Sequence, residues 1–307
     1  MQKIISNKPL ELINVTKTYG ASRGIENISL KLNQGEVFGF LGPNGAGKST
    51  TIKTILNFLA PSKGKILIFG LDGIKASTIL KQHMGYLSGD FSVYENLTGR
   101  QLLTFLGSFN EHFNWQEVQS LTKIFKAELD KKIADLSKGN KQKLGIIQAF
   151  MHKPKLLILD EPTSGLDPIM QEAFFALLKK SQKEGATIFF SSHNIFEVQR
   201  IADRAGFIRN GKLIAIEDIK NLRKIGLHKF EIHFSEKVTV NKLEDIKNVK
   251  DIRISDNIAR VSVKGSIDPL IKRLAKFNVL SISQQETNLE DIFLNYYQSG
   301  EEENEII

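Results

Sequence analysis

Gly42-Pro43-Asn44-Gly45-Ala46-Gly47-Lys48-Ser49 decides the fold. The stretch fits G-x-x-x-x-G-K-S/T and stands between an apolar run ending at Leu41 and an apolar-periodic segment at 49–59, so it reads as the turn from a buried strand into a helix. Gly42, Gly45 and Gly47 let the backbone curl until its N–H groups point inward at phosphate oxygens, and the following helix adds about half a positive charge at its N-terminus. Pro43, Asn44 and Ala46 complete that cradle. Lys48 supplies a point charge for β- and γ-phosphates, the Ser49 hydroxyl suits a Mg²⁺ ligand position, and Thr50 follows at the helix start. The expected ligands are therefore a compound carrying β- and γ-phosphates, and Mg²⁺.

Outward from the cradle, short apolar runs alternate with longer helical patterns over about the first 215 residues, the pattern of a sheet covered by helices. Strands are expected at 11–15, 36–41, 66–69, 156–159, 187–191 and 205–208. The runs at 156–159 and 187–190 read as apolar throughout, as parallel strands buried on both faces do. Residues 71–150 read as mostly helical, with 101–109 and 115–125 placing apolar side chains at three and four spacing, so a helical insertion is expected at about 84–150.

Past Gly211 the chain turns polar and lysine-rich through 220–229, which places a boundary near residue 222 and gives domains 1–222 and 223–307. In the second, strands expected at 229–234, 251–255, 259–264 and 279–283 are interleaved with helices near 242–247 and 269–277. That βαββαβ order is the ferredoxin-like arrangement. A last helix at 289–297 leads into Glu301-Glu302-Glu303-Asn304-Glu305, a solvated end. The fold class expected is α/β with a helical insertion, followed by a small α+β accessory domain.

Composition bounds the function. Across 307 residues, 41% hydrophobic and 25% charged positions exclude a disordered or fibrous chain. The absence of cysteine excludes a disulfide scaffold, a thiolate zinc site and a cysteine nucleophile. No apolar stretch approaches the roughly 18 to 20 residues needed to cross a bilayer. Residues 1–10 lack the apolar run of a secretory signal, so a cytoplasmic address is expected. The net charge of +8 suits an acidic partner such as nucleotide, nucleic acid or lipid headgroups without choosing among them.

A second constellation lies 112 residues after Lys48. Leu156-Leu157-Ile158-Leu159-Asp160-Glu161 ends a buried strand with two carboxylates at its C-terminal edge, where open α/β sheets place their ligands. Asp160 suits Mg²⁺ through its water shell, and Glu161 suits the general base that polarises an attacking water.

Leu136-Ser137-Lys138-Gly139-Asn140-Lys141-Gln142-Lys143-Leu144, taken alone, reads as a helix start with Ser137 as N-cap. In its place before the acidic pair it resembles the LSGGQ signature of the ATP-binding cassette (ABC) ATPases. Ser164-Gly165-Leu166-Asp167 matches that family's D-loop, Ser191-Ser192-His193 its switch histidine, and Thr16-Lys17-Thr18-Tyr19-Gly20 its N-terminal aromatic position, all in family order across residues 10–215. The resemblance implies a head-to-tail homodimer in which ATP on Lys48 and Ser49 of one copy is capped by Ser137 and Gly139 of the other. It implies that Tyr19 stacks on adenine and that His193 contacts the γ-phosphate. Two departures stand out: Lys138 and Asn140 replace a usual glycine and glutamine in the signature, and Gly89 occupies a position where glutamine is common, with Asp90 as a substitute beside it.

The gap of 112 residues cannot hold the long coiled coils of DNA-acting relatives, and there is a single cassette. The ATPase subunit of a transporter with separate transmembrane permease subunits is the simplest reading, peripheral on the cytoplasmic face of the membrane, with nucleic acid not expected as a partner. Gly85-Tyr86-Leu87-Ser88-Gly89-Asp90, Leu97-Thr98-Gly99-Arg100 and Glu286-Thr287-Asn288-Leu289-Glu290-Asp291-Ile292-Phe293 look like bacterial exporter ATPases of the antibiotic and bacitracin-resistance type. That likeness implies export of a drug, peptide or lipid-linked compound. The alternative is a soluble ABC ATPase acting on nucleic acid or a protein assembly. A small-molecule kinase leaves the signature, D-loop and switch histidine unexplained.

Overall fold

A computed structural model of the chain describes residues 8–20, 22–89, 94–110, 113–220, 227–239, 243 and 246–285. Contacts divide the chain into two units, Met1–Ile216 and Glu217–Ile307.

In the first unit, β1 (Leu10–Tyr19) and β2 (Ser22–Lys31) pair antiparallel with several register shifts. The five-residue β3 (Val37–Leu41) is buried at every position and feeds the loop that opens α1 (Lys48–Ile55). β4 (Lys63–Ile68) and β5 (Leu71–Asp72) return to β1, giving an antiparallel sheet of order β2-β1-β4-β5. After α2 (Ser77–Lys81) comes β6 (Met84–Leu87), then α3 (Gly99–Gly107), α4 (Trp115–Phe125) and α5 (Lys138–Phe150). β7 (Leu156–Leu159), α6 (Pro168–Lys183), β8 (Thr187–Ser192), α7 (Ile195–Ile201), β9 (Arg204–Arg209) and β10 (Lys212–Asp218) complete the unit.

The second sheet has the order β10-β9-β3-β8-β7-β6, with parallel pairing from β9 through β6. Strands buried on both faces explain why 156–159 and 187–190 show no alternation. Between the sheets, Phe38 and Phe40 pack on Phe189, with ring centroids 5.9 and 5.3 Å apart, beside buried Leu10, Val15, Ile28 and Ile52.

The helical stretch differs from the expectation at its start. Met84–Leu87 is a strand of the central sheet, paired parallel with β7. Four residues with a central glycine carry no decisive period. Gly85 is there because a Cβ would stand 2.1 Å from the Ala149 carbonyl oxygen of α5. Both predicted helices within the stretch are present as α3 and α4, each with a side-chain N-cap, Thr98 and Asn114. β2, β5 and β10 were not anticipated, and β5 lies within the stretch expected to be helical.

The second unit holds β11 (Leu227–Phe234), β12 (Val249–Ser255), β13 (Ile258–Lys264), α8 (Asp268–Leu274) and β14 (Val279–Gln285). Its four strands form an antiparallel sheet of order β12-β13-β11-β14 over a core of Phe230, Ile232, Phe234, Val261, Val263, Leu270 and Leu274. Half of the helix expected at 242–247, and all of the helix expected at 289–297, the acidic tail and the stretch 286–293, lie outside the described residues.

Candidate active site

The Gly42–Ser49 loop is shaped by two different demands on glycine. Gly45 and Gly47 hold φ of +79° and +108°, where an L side chain is strained. Gly42 answers to space: a Cβ there would stand 2.4 Å from the Ile208 carbonyl oxygen of β9. The loop is tied from outside by Gly211 N–H, which donates to the Ala46 carbonyl at 2.9 Å. Gly47 caps α1 without a side-chain acceptor, and the first turn carries no acidic residue, so the positive helix end stays uncompensated within that turn. Pro43, Asn44, Gly45 and Ser49 are exposed, Thr50 is half-buried and Ala46 is buried.

Lys48 is 5% exposed. Its Nζ donates to the carbonyls of Gly42 at 2.8 Å and Pro43 at 3.1 Å, and pairs with Glu161 Oε1 at 3.1 Å. Across the strand ends, Asp160 is buried and accepts from Ser191 Oγ at 2.6 Å. The same Ser191 oxygen accepts from Glu161 N–H at 3.0 Å. Glu161 turns the chain sharply, with φ of +47°. Its second carboxylate oxygen meets His193 Nδ1 at 2.5 Å, so one carboxylate spans Lys48 and the exposed His193. Burial pushes the Tyr86 phenol of neighbouring β6 up, and the Asp160 charge acts in the same direction.

Such an arrangement holds a carboxylate where a water could lose a proton to it, beside a fixed cation and a buried second carboxylate. Among the described residues no group of three or more His, Cys, Asp or Glu side chains forms a metal cage. Mg²⁺ keeps most of its waters and takes one or two protein ligands together with substrate phosphates. Asp160, with one oxygen taken by Ser191, and the exposed hydroxyl of Ser49 are such a pair. Gly89 lies against the acidic residues: a Cβ there would stand 3.4 Å from the Asp160 carbonyl oxygen. Asp90 lies outside the described residues.

Lys48, Asp160, Glu161 and His193 thus come together. The other expected residues do not join them: among the described residues no hydrogen bond or ion pair links Tyr19, Ser137 or Gly139 to those four. Tyr19 is 45% exposed at the end of β1, with Lys17 Nζ 5.6 Å from its ring centroid. Ser137 caps α5 by accepting from Asn140 N–H at 3.3 Å, the ordinary role its position suggests. Gly139 packs against the D-loop, where a Cβ would stand 2.8 Å from the Gly165 carbonyl oxygen.

Three residues of this site carry no role in the sequence reading. Ser191 anchors the acidic pair. Gln142, 2% exposed, donates from Nε2 to the Pro162 carbonyl at 2.9 Å. Glu197 accepts from Thr163 and Ser192. The available signal was the Ser191-Ser192 pair, since alternation along a strand sends adjacent hydroxyls to opposite sides.

The model of the ABC transporter family matches residues 25–164. The chain is similar to the bacitracin transport ATP-binding protein BcrA of Bacillus licheniformis, 33% identical over 299 residues covering 95% of this chain and 98% of that one. Among solved structures it is similar to an ATP binding subunit of an ABC transporter, with TM-score 0.65 and 30% identity over 70% of this chain and 92% of that one. It is also similar to MJ0796, a bacterial ABC transporter cassette in dimeric form, with TM-score 0.63 and 26% identity over 68% and 98% of the two chains. The chain belongs to the ABC transporter ATP-binding proteins and is an ABC ATPase.

Proposed function

We propose that this ABC ATPase drives export of a drug, peptide or lipid-linked compound through separate transmembrane permease subunits, closing as a head-to-tail homodimer on ATP and opening after hydrolysis. The observation that carries the reading is the single carboxylate of Glu161 held between Lys48 at 3.1 Å and His193 at 2.5 Å. Glu161 takes the proton of the attacking water, Lys48 steadies charge on the β- and γ-phosphates, and His193 contacts the γ-phosphate. Gly42, Pro43, Asn44, Gly45, Ala46, Gly47 and Thr50 surround the phosphates, and Tyr19 stacks on adenine. When bound, Mg²⁺ neutralises charge developing on those phosphates, held by Ser49 and, through water, by Asp160. Ser137 and Gly139 cap the ATP of the other copy, which accounts for their standing apart from Lys48 within one chain.

The exporter reading draws on the names of relatives, bacitracin transport and linearmycin resistance among them. Permease docking is supported by an exposed ladder of rings in the helical stretch, where Tyr94 meets Phe105 at 5.9 Å and Phe105 meets Phe109 at 5.0 Å between centroids. No helix among the described residues is long and apolar enough to cross a membrane; the place on the cytoplasmic face follows from the proposed partnership with permease subunits. The strand order β12-β13-β11-β14, antiparallel throughout, supports a ferredoxin-like accessory domain from about residue 223. A soluble ABC ATPase acting on nucleic acid rests on net charge alone.

The test is the solution mass of Glu161→Gln by light scattering with Mg-ATP and with Mg-ADP. Removing the base is expected to trap the closed state, doubling the 34.5 kDa mass with ATP only. A monomer under both conditions would refute the homodimer.

A further inference from the structure

We infer that Glu197 is a positioning residue for hydrolysis, one carboxylate that holds the loop of the proposed base Glu161 and the turn of His193 at a fixed separation. The inference rests on the roles proposed above for those two residues.

Glu197 lies in the first turn of α7, whose N-cap is Asn194. Its Oε1 accepts from Thr163 Oγ1 at 2.6 Å, and its Oε2 accepts from Ser192 Oγ at 2.7 Å. Thr163 follows Glu161 by two residues and is 7% exposed; Ser192 immediately precedes His193 and is 1% exposed. An acidic residue in a first helical turn is ordinarily explained by the helix dipole. The dipole does not account for both oxygens being taken by hydroxyls from two different segments, at the short distances of charge-assisted O–H···O⁻ bonds.

The chemistry requires a carboxylate. Ser192 Oγ accepts from Asn194 N–H at 2.9 Å, and its one proton goes to Glu197 at 2.7 Å in preference to the Asn194 carbonyl at 3.3 Å. Thr163 offers a second hydroxyl proton. Two donors facing one side chain need a group with two acceptor oxygens and no proton of its own. An amide satisfies one of them as acceptor, and an alanine neither.

The corner so held is a strained one. Glu161 adopts φ of +47°, and the chain around it is fixed from three sides: Ser191 on its N–H, Gln142 on the Pro162 carbonyl, and Glu197 on Thr163. Of these three, Glu197 also binds the turn that carries His193. The contact that depends on both ends is His193 Nδ1 to Glu161 Oε2 at 2.5 Å. Releasing either end lets the base and the histidine drift apart, and misplacement of a reacting group by about 1 Å can cost about 100-fold in rate. Gly42 N–H donates to the Ser192 carbonyl at 3.2 Å and Lys48 pairs with Glu161 at 3.1 Å, but neither bond uses Glu197 or the hydroxyls it accepts from, so turnover is expected to fall further than substrate affinity.

The experiment compares Glu197→Ala, Glu197→Gln, Thr163→Val and His193→Ala in the full chain. Steady-state ATP turnover is expected to fall on the order of 10-fold to 100-fold in Glu197→Ala, with KM within about twofold of the parent. Glu197→Gln is expected to recover part of that loss, because one acceptor survives. Combining Glu197→Ala with His193→Ala is expected to cost no more than His193→Ala alone, since the two act on one contact. A histidine-labelled ¹⁵N spectrum supplies a readout independent of turnover: the His193 Nδ1 resonance is expected to move in Glu197→Ala and to move by less in Glu197→Gln. If Glu197→Ala fails to fold, Thr163→Val breaks one arm with a near-isosteric side chain and is expected to move the same resonance. Full turnover with an unmoved His193 signal, or additive losses in the double variant, would overturn the inference. Wild-type turnover in Glu161→Gln would instead overturn the underlying assignment of the base.

Discussion

Replacing Ser191 with alanine tests whether one hydroxyl holds the acidic pair together. The side chain is completely buried; it donates to Asp160 Oδ1 at 2.6 Å and accepts from Glu161 N–H at 3.0 Å. Among the described residues no buried side-chain polar atom lacks a partner, so alanine would create a carboxylate oxygen and a backbone N–H without theirs. A hydrogen bond to a charged group contributes about 1.5–3 kcal/mol, and orphaning a neutral buried donor costs about 1–3 kcal/mol. Glu161 is part-exposed, which lets water recover some of the second cost, so a total of about 3 kcal/mol is expected. At about 2–4 °C per kcal/mol for a unit of this size, the first thermal transition is expected to fall by about 6–12 °C. Turnover is expected to fall with it, because the N–H anchor of the strained residue 161 is gone. Differential scanning calorimetry of the full chain, paired with a phosphate-release assay, reads both quantities. A midpoint within about 2 °C of the parent and undiminished turnover would mean that water replaces the hydroxyl and that Ser191 does not organise the pair.

Gly139→Ala drives a Cβ to 2.8 Å from the Gly165 carbonyl oxygen, a backbone atom that cannot swing aside; in the Glu161→Gln background it is expected to abolish the ATP-dependent doubling of mass while leaving nucleotide binding intact, read by light scattering and fluorescent-nucleotide titration. Burial pushes the His152 imidazole below its ordinary value, with Nε2 3.0 Å from the Met84 carbonyl. The folded chain therefore holds fewer protons there than the unfolded one once pH drops below about 6.5, so stability that is present at neutral pH is lost through that acid range. His152→Gln is expected to flatten the difference between urea midpoints at about pH 7.5 and about pH 5.5. Lys138→Gly removes a side chain that runs along Gly165, with Cγ, Cδ and Cε at 3.4, 3.6 and 3.7 Å from where a Cβ of that glycine would sit; turnover is expected to change in rate and to persist, and its complete loss would show that Lys138 takes part in the chemistry.

The phosphate loop and the acidic pair were legible because both sit at ends of strands that are apolar throughout, and β3 and β7 are buried at every position. Helix α4 was legible at both ends, since its period is clean and Asn114 caps it. Strand β2 was not: Gly24 and the left-handed Asn27 interrupt its alternation, and repeated register shifts against β1 break the period of two. The four strands of the second unit were legible because hairpin-forming strands with one wet face do alternate, and Phe230, Ile232 and Phe234 all point into its core. Within the site, what sequence left out was the supporting shell. Gln142 and Glu197 meet partners 20 and 34 residues away, and no local spacing announces a contact between an amide and a distant carbonyl.

The contacts of α5 join two things that chain order keeps apart. Ser137, Gly139 and Gln142 stand within two turns of one helix, the first as its cap, the second against the Gly165 carbonyl and the third on the Pro162 carbonyl. Pro162 is the residue after Glu161, whose left-handed conformation costs on the order of 1–3 kcal/mol and persists only where its surroundings enforce it. A shift of the α5 N-terminus is therefore delivered to the corner of the proposed base through a 2.9 Å bond and a glycine contact with no side chain to absorb it. Close-packed elements of this kind move between discrete arrangements rather than bending continuously. Engagement of Ser137 and Gly139 by a nucleotide on another copy would thus reach the corner of Glu161 through the Gln142 bond and the Gly139 contact.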